Sequence, residues 1–505
     1  MKELAMRALE TAKIKGASYA DIRIVHRIEQ SITVKNGVVE AISQEETSGF
    51  GVRVIADGAW GFASSSVLTP EEVDRVAALA VAIAKASALT KLEDVDIGPP
   101  EVHVGQYKTP VKIDPFSIPL EKKIELLLAA DAEMRRTKEV KVARGSLGFI
   151  KEFKIFASSE GSYIEQEIVE SGGGLEATAV SPEDVQKRSY PNSFGRHQGT
   201  AGWEFIEEMK LVENAARTGE EAAQLLYAPQ CPSTVTTVII GGAQLALQVH
   251  ESCGHPSELD RVFGTEASFA GTSFLTPEKL GTFRYGSEIV NITADATIPG
   301  ALGTFGYDDE GIPAQRTYLV KDGIFVGYLM SRETARRLGL RSNGCMRADG
   351  WNRIPIIRMT NINLEPGEWE LEDLIADTDE GIYMETNKSW SIDDRRLNFQ
   401  FGTEIAYEIK KGKLGRLLKN ATYTGITPQF WQSCDAICNA KYWKVWGTPN
   451  CGKGEPLQIA HVGHGTAPAR FRNVRVGLTT VGDFIIIYSS QDGAVTGENK
   501  AGFPL

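Results

Sequence analysis

At 505 residues, with 42% hydrophobic and 24% charged positions, the chain is too long for one ordinary core, and two or three domains are expected. A net charge of −12 with no large Lys/Arg cluster argues against direct nucleic-acid binding, and the absence of an apolar run of about 18 residues argues against a membrane-spanning helix. The start, Met1 to Gly16, is amphipathic and charged, unlike a signal peptide. The six cysteines are sparse and irregularly spaced, which suits a reducing cytoplasm better than a disulfide framework.

In chain order, a first helix precedes strands at Ala20–Thr33 and Val38–Ile42, with Asn36-Gly37 between them as a hairpin signal. Gly51–Ile55 and Trp60–Ala63 follow as short strands. Thr69-Pro70-Glu71-Glu72 opens a helix to about Lys85, with Thr69 as N-cap, Pro70 at the first position and Glu72 closing a capping box. Residues 92–119, punctuated by Pro99, Pro100, Pro110 and Pro115, read as a long connection. A second helix begins near Pro119, its apolar face marked by Leu120, Ile124, Leu127, Leu128 and Met134.

Strands Val140–Phe149, Phe153–Ala157 and Ser162–Ser171 come next, and Gly172-Gly173-Gly174 allows a bend. Phe205–Tyr227 reads as one long helix ended by Pro229 and Pro232. A boundary there divides an α+β chain into an N-terminal mixed α/β domain, 1–228, and a β-rich C-terminal domain, 229–505. In the second half Ser233–Ile240 is a strand, Gly241-Gly242 breaks it, and the helix carrying His250 begins. Hairpins are expected at Tyr318–Met330 around Asp322-Gly323 and at Ile405–Leu418 around Lys411-Gly412. Val474–Gly477 and Phe484–Ser489 are the closing strands.

The chemistry concentrates in His250-Glu251-Ser252-Cys253-Gly254-His255, which holds two of only seven histidines. Two imidazoles and a carboxylate so close together are the minimum kit for a zinc ion and its general base. The spacing is demanding. Five residues of regular α-helix turn through about 500°, so the two rings would diverge by roughly 140°. The pair converges only if the helix widens into a π-bulge or ends before His255, and Gly254 and Pro256 favour such a disruption. Catalytic zinc takes three protein ligands. The candidates for the third are Cys253, Cys451, His461 and His464.

The His-Glu-x-x-x-His motif resembles that of the metal-bearing, TldD-like branch of the TldD/PmbA metallopeptidases, also called modulators of DNA gyrase. Pro449-Asn450-Cys451-Gly452-Lys453, Val462-Gly463-His464-Gly465, Thr47-Ser48-Gly49-Phe50-Gly51-Val52-Arg53 and Gly58-Ala59-Trp60-Gly61 are similar to the same family, so the likeness spans nearly the whole chain. It implies Zn2+ held by His250, His255 and Cys451, with Glu251 serving catalysis. It also implies hydrolysis of unfolded or extended peptides held as an added strand in an enclosed cleft. The N-terminal domain would serve dimerisation and enclosure, in a homodimer or in a heterodimer with a metal-free paralogue. The competing reading is a non-catalytic, zinc-binding interaction subunit, against which the intact Glu251 argues.

Other signals carry less. Gly447 to Gly454 nearly fits a phosphate-binding loop, but Gly454 lacks the hydroxyl that would bind magnesium and Pro449 stiffens the segment. The acidic stretch Gly306-Tyr307-Asp308-Asp309-Glu310-Gly311 reads as a solvated turn. Cys434 and Cys438, at helical spacing, read as buried apolar side chains. Tyr442, Trp443 and Trp446 are expected to pack or line a cleft. His26, His103 and His197 are isolated and read as structural or exposed.

Overall fold

A computed structural model describes residues 1–268 and 271–477; the strand expected at Phe484–Ser489 lies outside them. The chain is α+β. One eight-stranded sheet takes every strand up to Gly199. Its order is Ala59–Ser65, Val38–Ala56, Tyr19–Lys35, Val140–Ser158, Tyr163–Val180 and Val104–Lys108, with Val185–Tyr190 and His197–Gly199 also paired to Tyr163–Val180. Its four longest strands run 17 to 19 residues, about three times the usual length. Such length supports two separate apolar cores. Helices Lys2–Ile14 and Pro70–Ala88 close one with Ala5, Ala8, Val76 and Ala80 against Ile22 and Val52. Helices Leu120–Arg135 and Leu211–Tyr227 close the other with Leu127, Met134, Ala215 and Ala222 against Ile32 and Leu147.

The second half is built around a closed ring of strands. Thr234–Ile240 pairs with Ala469–Val476, which pairs with Thr422–Ile426, then Asn398–Lys410, then Glu380–Ile392, which returns to Thr234–Ile240. Closure gives each of these five strands a partner on both sides. Phe399, Phe401, Tyr423, Phe430, Trp431 and Phe471 pack on one another in its core, some rings stacked and others edge to face. The helix Gly242–Val249 leaves the ring directly from Thr234–Ile240 and packs against Glu380–Ile392 and Gln458–Thr466.

Several local expectations change in the fold. Val140–Ser158 is one strand. Gly172-Gly173-Gly174 does not bend; it lies within Tyr163–Val180. A Cβ at Gly173 would sit 2.4 Å from the Ser146 carbonyl oxygen, and one at Gly174 would sit 2.4 Å from that of Gly195. The glycines therefore serve close backbone approach. The helix expected over Phe205–Tyr227 is two, Glu204–Met209 and Leu211–Tyr227, interrupted at Lys210 with φ 49°. The long connection contains the strand Val104–Lys108, whose weakly buried side chains gave no apolar alternation. Thr69 does cap its helix, accepting from the Glu72 N–H, but the Glu72 carboxylate is held by Arg75 at 2.7 Å. Cys434 begins a strand, not a helix, and both it and Cys438 are buried.

The acidic stretch is the largest correction. Asp308, Asp309 and Glu310 are buried. Asp308 accepts the backbone N–H groups of Glu310, Ile312 and Met346 at 2.9, 2.9 and 3.0 Å. Asp309 pairs with Lys154 at 2.8 Å and Glu310 with Arg53 at 3.2 Å. Both cations belong to the N-terminal sheet, so this loop fastens the two halves together.

Candidate metal centre

The helix widens where the histidine spacing requires it. Gly242–Val249 is α-helical, His250–Gly254 is a single π turn, and His255–Ser257 tightens into a 3₁₀ turn. Gly254 has no room for a side chain: a Cβ there would lie 2.3 Å from the Met359 sulfur. The extra residue in the π turn swings His255 back toward His250, and their Nε2 atoms stand 3.2 Å apart. Cys451 comes from the strand Lys444–Lys453, which replaces the loop expected there, and its register against Gln458–Thr466 shifts between Thr448 and Cys451. Such a bulge re-aims side chains. Here it accompanies a Cys451 Sγ placed 3.7 Å from His255 Nε2.

These three ligand atoms all lie within 4.8 Å of one another. A tetrahedral zinc with bonds of about 2.05 Å to nitrogen and about 2.3 Å to sulfur spans about 3.3 Å between two nitrogens and about 3.6 Å from nitrogen to sulfur. The two edges that meet at His255, 3.2 Å to His250 and 3.7 Å to Cys451, match those values, and the third, from His250 to Cys451, falls within 4.8 Å.

The outer partners fix which nitrogen faces the centre. His464 Nδ1 donates to the Ile362 carbonyl at 3.0 Å, which leaves its Nε2 as an acceptor. His250 Nδ1 must then donate to it, at 2.8 Å, so His250 Nε2 carries the free lone pair. On the other side His255 Nδ1 meets the Glu258 carboxylate at 2.5 Å, freeing His255 Nε2 in the same way. Two lone pairs facing each other repel unless a cation lies between them. Hydrogen-bonded backing of this kind sets tautomer and ligand basicity at metal sites. Burial lowers the pKa of His250 and pushes that of His464 well down, keeping both neutral.

Glu258 is itself anchored. Lys453, at 0% exposure, bonds Glu258 at 2.8 Å and Asp260 at 2.7 Å. Burial raises the Glu258 pKa, but Lys453, His255 and Arg261 outweigh it and hold it well below the usual range. Lys453, the lysine of the near phosphate-loop pattern, thus belongs to the ion network behind His255.

The two candidate thiols separate by environment. Burial alone would raise the Cys451 pKa, yet the Arg358 guanidinium, 3.0 Å from Sγ, and His255 bring it below the ordinary thiol value. Cys253 is buried beside Ser257 and Tyr285 without such a cation and is pushed up to about 12, so it remains a thiol. His461 lies outside the cluster, paired to Glu170 at 2.6 Å. His464 contacts the centre only through His250. Glu251 projects beside the ligands and is held by Arg396. Burial raises its pKa, and Arg396, His255 and His250 lower it further than burial raises it. The four central groups are 3–6% exposed.

Of the supporting residues, Glu258 had a local signal, sitting three positions after His255 on the same turn. Arg358 and Arg396 had none, since only the tertiary fold brings them near. His197 is buried against Phe205 and Trp446, which with Tyr442 and Trp443 packs as expected. No helix among the described residues is long and apolar enough to cross a membrane.

Sequence models of the PmbA/TldA metallopeptidase domain 1, central domain and C-terminal domain match residues 20–84, 113–227 and 233–478. A metalloprotease of Methanocaldococcus jannaschii is 34% identical over 82% of this chain and 88% of its own length. A zinc metalloprotease TldD homologue of Saccharolobus solfataricus is 22% identical over 83% of this chain and 88% of its own. In fold, a crystal structure of a Thermotoga maritima protein described as a putative modulator of a DNA gyrase superposes with a TM-score of 0.73 at 19% identity, covering 94% of this chain and all of that one. With a metal-ready triad in place and relatives that are metalloproteases over most of its length, the chain belongs to the TldD/PmbA family and is a metallopeptidase.

Proposed function

We propose that the protein is a zinc peptidase acting on unfolded or extended peptides, with His250, His255 and Cys451 as the metal ligands and Glu251 as the general base. The observation that carries this reading is the convergence of two tautomer-fixed Nε2 atoms and a cation-stabilised sulfur within 4.8 Å of one another, with both edges at His255 close to tetrahedral zinc values. Zinc in particular is supported by the donor set and by the name of the Saccharolobus relative. A bound zinc ion would supply Lewis acidity toward a carbonyl oxygen and lower the pKa of a coordinated water toward about 7.

The chain's own residues supply the rest. Glu251 would take a proton from the attacking water and return it to the leaving amine. Glu258 and His464 hold the two imidazoles in their orientation. Arg358 donates to Cys451 Sγ and favours its thiolate form. Groups this deeply buried are out of reach of a folded domain's surface, whereas an extended chain can thread to them. Main-chain pairing would hold such a peptide with little sequence preference. Pairing of the N-terminal sheets, in a homodimer or with a metal-free paralogue, would complete the enclosure.

The test is metal content together with casein cleavage for wild type and Glu251→Ala, with and without a paralogous partner chain. About one zinc per chain, with cleavage lost and zinc retained in Glu251→Ala, is the expected result. Zinc bound without cleavage in any pairing would make this a zinc-binding interaction subunit. Protein that binds no zinc would refute the site.

A further inference from the structure

The proposed general base is not alone. Arg396 Nη1 donates to Glu251 Oε2, and the two side chains are 7% and 8% exposed. Arg396 stands at the turn between strands Glu380–Ile392 and Asn398–Lys410, with a backbone φ of 64°, a left-handed conformation that is costly for a residue with a Cβ. The turn is braced from several sides. The Arg396 N–H donates to the Asp393 carbonyl at 2.9 Å, the Leu397 N–H to the Asp393 carboxylate at 2.8 Å, and the Thr427 hydroxyl to the Arg396 carbonyl at 2.9 Å.

Stability is a poor account of this arrangement. A buried ion pair pays desolvation on both charges, and well-packed apolar side chains often do as well or better. Strained backbone that the surroundings over-determine clusters at functional sites. The pair also stands beside the only grouping of three metal-capable side chains found among the described residues. Two neutral imidazoles and a thiolate leave a zinc site with a net charge of +1, a modest electrophile. A second positive charge at the same place would meet that shortfall.

We infer that Arg396 is a catalytic residue, the donor that stabilises the oxyanion formed from the scissile carbonyl. This deepens the peptidase reading and rests on it. In the step, the water oxygen bonds to the carbonyl carbon, the water proton passes to Glu251, and the C=O π pair moves onto oxygen. Arg396 donates an N–H to that oxygen and transfers no proton. When the pair returns, the C–N bond breaks and Glu251 gives its proton to the departing nitrogen, so carboxyl and amine products balance. A guanidinium carries five N–H donors in a planar fork, which lets one side chain position a carboxylate and bind a substrate oxygen together.

The experiment uses zinc-loaded protein, with its partner chain if cleavage requires one. It compares wild type, Arg396→Lys and Arg396→Ala. Zinc content, kcat and KM on an extended fluorogenic peptide, and calorimetric binding of a phosphinic peptide that mimics the oxyanion are measured. The expectation is kcat lower by about 100- to 1,000-fold, KM within threefold of wild type, zinc content unchanged, and phosphinic-peptide affinity lowered in step with kcat/KM. Millimolar guanidinium, but not potassium at equal ionic strength, is expected to restore part of the Arg396→Ala rate. Three results would overturn the assignment while leaving the peptidase reading intact: kcat within threefold of wild type in both variants, a raised KM at constant kcat, or loss of zinc in both variants without guanidinium rescue. A wild-type protein that binds zinc yet cleaves nothing would remove the peptidase reading itself.

Discussion

Glu258→Gln tests the outer support of the centre most directly. Glutamine has nearly the same shape, and its amide oxygen can still accept from His255 Nδ1. What disappears is a negative charge placed 2.5 Å from His255, 2.8 Å from Lys453 and 3.6 Å from Arg261, where Glu258, Lys453 and Arg261 all have side chains at 0% exposure. Removing one member of a fully buried pair costs about 3–5 kcal/mol. Lys453 keeps Asp260 and the Ile357 carbonyl, each at 2.7 Å, so the expected loss falls at the low end, about 3 kcal/mol. The weaker orientation of His255 is expected to reduce zinc affinity by about 10- to 100-fold. Urea unfolding of the zinc-free protein reads the first quantity, and a chelator competition titration reads the second. Lys453→Met breaks the same Glu258–Lys453 pair from its other side, so the Glu258→Gln/Lys453→Met double variant is expected to be less destabilised than the sum of the singles. A Glu258→Gln variant with an unchanged urea midpoint and a zinc Kd within twofold of wild type would refute the reasoning.

Cys451→Ser is expected to abolish tight zinc binding and Cys253→Ser to leave it within threefold; equilibrium dialysis against a chelator distinguishes them, and equal losses would contradict the separation of the two thiols. His464→Phe removes the acceptor that sets the His250 tautomer and is expected to weaken zinc about 10- to 100-fold with little change in far-UV circular dichroism. The Glu170–His461 pair predicts a pH window. Burial lowers the His461 pKa, but Glu170 more than offsets it and raises it above the ordinary 6.5. Burial raises the Glu170 pKa, and His461 and Gln198 bring it below 4.5. The raised group stabilises below about 6.5 and loses its contribution as pH rises through its folded value; the depressed carboxyl stabilises above about 4.5 and loses its contribution as pH falls. The pair therefore contributes most between those limits, about 1–2 kcal/mol. Urea midpoints of wild type and Glu170→Gln from pH 4 to 9 are expected to differ most near pH 5.5 and to converge toward pH 9.

Local sequence determined much of this protein. Asn36-Gly37 turns a hairpin because Asn and Gly accept the positive φ of 50° and 80° found there, and Gly412, at 69°, serves the same end after Lys411. His250 and His255, five apart, demand a break in α-helical geometry, and Gly254 and Pro256 permit it, so a π turn or a helix end was implicit in seven residues, and the structure takes the π turn. What tertiary structure alone decided is every interaction whose partner is far along the chain. Cys451 reaches His255 across 196 residues, His464 sets the His250 tautomer across 214, and Arg396 meets Glu251 across 145. The acidic stretch from Asp308 to Glu310 shows the cost of judging charge by composition. It looked like a solvated turn because its cations, Lys154 and Arg53, lie in another sheet. Periodicity and turn chemistry act over a few residues and can be read from them; desolvation and charge pairing depend on which distant strands the fold lays side by side.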